Sequence, residues 1–173
     1  MKKIVLIAAV AMITLAMSAC SNNFKKAENG LLYRFETVNP DGAQPVPGDI
    51  IVGELVLRLE DDTLFTNVGN PDKIFKVAEN CMFKGDFQEG LLMMHEGDKA
   101  IFKVPADSVA KLMDPSQMPP SYKLGEGQFF YYEINLTDIV TAEDLAQEQA
   151  NFMKEMEQRK AEEPESLAKY IAD

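Results

Sequence analysis

Between residues 30 and 140 apolar and polar residues alternate in short runs, the period of strands with one buried face. Leu31, Tyr33 and Phe35 alternate with Leu32, Arg34 and Glu36 up to the turn cluster Asn39-Pro40-Asp41-Gly42, which predicts a strand over about 31–38. Pro45, Pro47 and Gly48 introduce a second strand, in which Leu55, Leu57 and Leu59 share one face and Glu54, Val56 and Arg58 the other. Glu60-Asp61-Asp62 ends it. Short apolar pieces at Leu64 to Val68 and Ile74 to Val77 are the third and fourth candidates. After Lys84-Gly85 the period changes. Phe87, Leu91 and Met94 recur at helical spacing, so one short helix lies inside a sheet protein.

His95-Glu96-Gly97-Asp98 then turns the chain into a strand with Ala100, Phe102 and Val104 on one face, ended by Pro105. Residues 114–128 (DPSQMPPSYKLGEGQ) form a proline- and glycine-rich loop of the long kind that is often functional. In the last strand Phe130, Tyr132, Ile134 and Leu136 point one way and Tyr131, Glu133, Asn135 and Thr137 the other, to about Ile139. Thr141 and Asp144 resemble a capping box that opens a charged helix to about Glu163, with Leu145, Phe152 and Met156 as its narrow apolar stripe. Pro164 is expected to interrupt it before a shorter helix carrying Leu167, Tyr170 and Ile171.

The ends of the chain change the picture of where it works. Lys2 and Lys3 precede a small and apolar run from Ile4 to Met17, shorter than the ~18 residues of a membrane span, so residues 1–19 read as an export signal. Leu15-Ala16-Met17-Ser18-Ala19-Cys20 resembles the lipobox of bacterial lipoproteins, with Met17 in place of the usual leucine, and implies a lipid on Cys20. Ordinary cleavage after Ala19 is the alternative, but it would place bulky Met17 where a small residue is wanted. Residues 20–29 then serve as a polar tether, 30–140 as the domain and 141–173 as a helical arm. The expected location is the cell envelope, at the periplasmic face or the cell surface.

The net charge of −11, more negative still without Lys2 and Lys3, argues against nucleic acid as a partner and against membrane binding by anything but a lipid anchor. Cys81 is the only cysteine besides Cys20, which excludes an internal disulfide in the mature chain and a cysteine-cluster metal site. With one histidine and no phosphate-binding glycine loop, the sequence calls for no metal or cofactor. A glycan-binding role is disfavoured because sugar platforms usually use tryptophan, and the chain has none.

Residues 30–36 (GLLYRFE), 47–49 (PGD), 59–65 (LEDDTLF), 85–105 (GDFQEGLLMMHEGDKAIFKVP) and the final YYEINLTDI resemble the FKBP-type peptidyl-prolyl isomerases. The resemblance implies an α+β fold: an antiparallel half-barrel of five to six strands wrapped around a short helix, with an apolar pocket between them for a proline ring. It also implies catalysis by shape, which lowers the ~18–20 kcal/mol barrier to rotation by favouring the twisted amide. Matched residue by residue, Phe65, Phe87 and Tyr132 are the candidate catalytic aromatics, with Phe87 as the pocket floor. Phe75, Met82 and Phe83 are candidate substrate contacts. Read without the family, aromatics at such positions are more often core than ligand contacts.

The departures bear on turnover. The family's second-strand tyrosine is missing from Glu54-Leu55-Val56-Leu57, and the aspartate after the pocket phenylalanine is Thr66, a hydroxyl at the pocket edge. The Ala-Tyr-Gly segment reads Asp107-Ser108-Val109-Ala110, with Tyr122 in the loop as the candidate replacement donor. Two functions follow: a folding factor that isomerises Xaa-Pro bonds in exported proteins, or a catalytically weak or inactive module that binds proline-containing or unfolded segments. The C-terminal helix could pair with a second copy in either case.

Overall fold

The structure, a computed structural model, describes residues 24–172, with side chains through Lys160; residues 1–19, read from the sequence as an export signal, and Cys20 lie outside the described residues. Seven strands form one antiparallel sheet: β1 Lys25–Lys26, β2 Leu32–Thr37, β3 Ile50–Leu59, β4 Asp62–Thr66, β5 Asp72–Lys76, β6 Lys99–Pro105 and β7 Phe129–Val140. Their order is β1-β2-β6-β7-β3-β4, and β5 also pairs with β3. Among the described residues the helices are α1 Phe87–Leu91, α2 Ala106–Ala110 and α3 Ala142–Ala172, with a short 3-10 turn at Pro115–Gln117. The alternation in the sequence becomes the two faces of this sheet.

Across the middle of the sheet the pairings Phe65↔Leu57, Leu57↔Tyr132, Tyr132↔Phe102 and Phe102↔Tyr33 form one lateral row. Row members share a face, so this row crosses the concave side, which α1 covers. Gly90 shows how closely: a Cβ there would lie 2.4 Å from the Phe102 ring, so only glycine lets the helix settle on it. Leu91 and Met94 are buried beside Phe102, Val104, Ile134 and Leu136. Asp86 caps α1 by accepting from the Gln88 N–H.

Two expectations change, and one element is new. The folded body begins before Gly30, because Lys25–Lys26 pairs with Leu32 and Tyr33 inside the segment read as tether; two lysines carry no alternation for a pattern to detect. The stretch after β6 is a short helix, α2. Pro164 does not divide the arm: α3 runs through it as one helix of 31 residues. Proline there removes one backbone bond, and a helix already propagated on both sides can lose one bond without ending. Among the described residues no helix is long and apolar enough to cross a membrane.

Candidate functional site

Three of the aromatics singled out from the sequence meet on the concave face. Phe87, at the first position of α1, stacks on Tyr132 of β7 with centroids 4.2 Å apart and planes 10° from parallel. Phe75 of β5 lies 4.8 Å from Phe87 and 6.4 Å from Tyr132. Alternation puts Phe75 beside Ile51 and Tyr132 beside Leu57 on one face, and the Asp86 cap starts the helix where Phe87 reaches both. Two rings must stand about 7 Å apart, twice the ~3.5 Å contact distance, to hold a third ring between them. The cluster therefore presents an outer aromatic face, with no slot between Phe87 and Tyr132.

Tyr132 is the polar member of this cluster. Only 9% exposed, it has its hydroxyl pKa pushed up to about 12 by burial and, secondarily, by the Asp86 carboxylate. The phenol stays protonated, and no hydrogen bond of its own among the described residues uses the proton. Asp86 is itself raised, first by burial, while the N–H groups it caps pull the other way.

The remaining candidates are dispersed. Phe65 is in register with Leu57 but 48% exposed, and it forms a rim. Phe83 is half-buried against the core, whereas Met82 is 70% exposed just before α1. Thr66 pairs with Val56, whose side chain lines the opposite, convex face, and its Oγ1 accepts from the Val68 N–H at 3.4 Å. The expected pocket-edge hydroxyl is thus directed elsewhere, because the alternation that turns Phe65 inward turns its neighbour outward.

Tyr122 is held rather than poised. Its hydroxyl donates to Asp107 Oδ1 at 2.8 Å, and the Gly125 N–H donates to the same oxygen at 3.2 Å. Asp107 is held below the usual carboxylate range chiefly by the Tyr122 hydroxyl. Ser121 donates to Asp62 at 2.6 Å, and Gln128 bridges Lys123 and Ser121, so the proline-rich loop is fastened to the β3–β4 turn. The expected donation from Tyr122 to a substrate carbonyl would require breaking its bond to Asp107. The Cys81 thiol is raised first by burial, which leaves it a poor nucleophile.

At Phe65 lies a cleft of about 430 Å³ lined by Leu55, Phe65, Asn67, Asn70, Asp72, Lys73 and Ile74, outside the three-ring cluster. It opens where the edge of β3 passes from β5 to β4. Asn67 spans that gap, its Oδ1 accepting from the Leu55 N–H at 2.6 Å and its amide donating to the Gly53 carbonyl at 3.1 Å. Sequence reasoning missed this cleft, since no local period reports where one edge changes partners.

No protein-family model matches the chain, and neither does any curated protein. Solved structures do. FkpA from Escherichia coli superimposes with a TM-score of 0.54 at 18% identity, over 71% of this chain and 54% of that one. The chain thus spans about half the length of that structure. A peptidyl-prolyl cis-trans isomerase from Pseudomonas syringae pv. tomato gives 0.53 at 18% identity, over 70% of this chain and 84% of the other. The likeness establishes the fold as the FKBP-type α+β half-barrel with a C-terminal helix.

Proposed function

We propose that this FKBP-fold protein is a peptidyl-prolyl cis-trans isomerase of the bacterial envelope, held by a lipid on Cys20 and acting on proline-containing segments of exported proteins. The observation that carries the reading is the Phe75–Phe87–Tyr132 cluster on the concave face, with one protonated, unengaged hydroxyl. A planar amide is more charge-separated than a twisted one. Resting the prolyl ring on the outer faces of Phe87 and Phe75 withdraws water from the amide and disfavours the planar form. The Tyr132 hydroxyl then offers a donor to the amide as its nitrogen regains a lone pair. Ten-fold acceleration needs only about 1.4 kcal/mol of such preference.

A second reading, a binding module with little turnover, is favoured by Leu55 where the family carries a tyrosine and by the Tyr122 hydroxyl already donating its hydrogen bond to Asp107. In both readings exposed Phe152, Met153 and Met156 on α3 make the arm the surface for a second copy.

The test is the cis-to-trans rate of a Phe-Pro reporter peptide with the chain from Ser21, which contains every described element. Phe87→Ala and Tyr132→Phe are measured beside it, with folding checked by circular dichroism. Acceleration that drops about ten-fold or more in Phe87→Ala and by a smaller factor in Tyr132→Phe is the expected result. A folded protein that binds the peptide without accelerating it establishes the binding module instead. Globomycin-sensitive processing and palmitate labelling lost in Cys20→Ala test the anchor separately.

A further inference from the structure

The cleft at Phe65 has the makings of a second subsite. Its floor is apolar, from Leu55 and Ile74, and Phe65, at the β4 end of the Tyr132–Leu57–Phe65 row, forms one wall, so a chain lying along that row from Tyr132 reaches it. The rim is polar. Asn67 and Asn70 are uncharged, and the Lys73 ammonium is engaged at 3.1 Å by Glu148 of α3. Asp72 Oδ1 accepts from the Lys73 N–H at 2.7 Å, which holds the carboxylate at the rim. Two carboxylates therefore stand against one ammonium there, in a chain of net charge −11.

An apolar floor below an anionic rim suits a long aliphatic stem with a cationic head. We infer that this cleft takes a lysine or arginine side chain next to the Xaa-Pro unit, so that the protein prefers basic proline-containing segments. The inference rests on the proposal that the concave face holds a proline-containing peptide. Asp72 supplies the charge that selects, Phe65 divides the two subsites, and the Lys73–Glu148 pair keeps the one nearby ammonium turned toward α3.

Fluorescence anisotropy with labelled Phe-Pro peptides tests it without reference to turnover. Lysine or norleucine is placed at either flank, so the two peptides differ in charge while keeping the same aliphatic stem. At one flank the lysine peptide is expected to bind about three-fold tighter at low salt, the magnitude of a partly exposed ion pair. The ratio falls to about one in ~1 M salt and in Asp72→Asn. A ratio of one in the wild type at both flanks, or a preference that survives in Asp72→Asn, overturns the inference alone. No binding of any peptide overturns it together with the peptide-binding reading, and a lysine preference without isomerisation sinks only the enzyme.

Discussion

The same two strands, β3 and β7, build two surfaces of opposite character. On the concave side Leu55, Leu57, Leu59, Phe130, Tyr132 and Ile134 face α1 and the ring cluster. On the convex side Arg58 pairs with Glu133, and Arg58 lies 5.1 Å above the Tyr131 ring. Glu54 is held below its ordinary range chiefly by the Gly69 N–H and next by Asn135. Lys103 Nζ sits 4.1 Å from the Phe129 ring centre on that same side. Neighbouring residues thus answer to different physics: tight packing and desolvation inside, screened charge and ring contact outside. The stacked Phe87–Tyr132 pair belongs to the concave side, where packing holds the rings in place.

The largest expected effect in testing that contrast comes from Phe102, fully buried beneath α1. Phe102→Ala should lower unfolding stability by about 3–5 kcal/mol in urea titration. Gly90→Ala adds one methyl at the same contact and should destabilise by about 1–3 kcal/mol, and on the proposed function the reporter-peptide rate should fall as α1 and Phe87 shift. On the convex face a double-mutant cycle on Arg58 and Glu133, side chains 28% and 24% exposed, should give about 1 kcal/mol or less and shrink with added salt. A coupling as large as the Phe102 effect would break the contrast.

The smallest effect sharpens it through pH. Asp86 has a raised folded value, so the folded chain holds its proton more tightly than the unfolded chain does. Its contribution is complete below the ordinary carboxylate range and is lost as pH rises through the folded value. Asparagine caps helices as well as aspartate. Asp86→Asn should therefore be slightly more stable than wild type at pH 7 by thermal melting, with the gain vanishing on acidification. A gain that grows toward acid would contradict the burial argument.

Much of the fold was legible because alternation and helical spacing are local. They placed β2, β3, β6, β7 and α1 close to where they stand, and residue resemblance brought Phe75, Phe87 and Tyr132 together as candidates. Where the Thr66 and Tyr122 hydroxyls point was not legible for a non-local reason. Which side of a sheet a hydroxyl occupies depends on register, and whether a loop tyrosine is available depends on Asp107, fifteen positions away. The two-residue β1 and the unbroken α3 likewise depend on pairing and propagation that no short window contains.

By itself the sequence determined the element order, the faces of the strands and the aromatic character of the site, because side-chain period and backbone preference act over a few residues. Tertiary structure alone decided that Phe87 lies against Tyr132 instead of leaving a slot, that Tyr122 is fastened down, and that β3 changes partners at Asn67 to open a cleft. Those outcomes depend on contacts between segments far apart in the chain, and such contacts exist only once the sheet has closed around its helix.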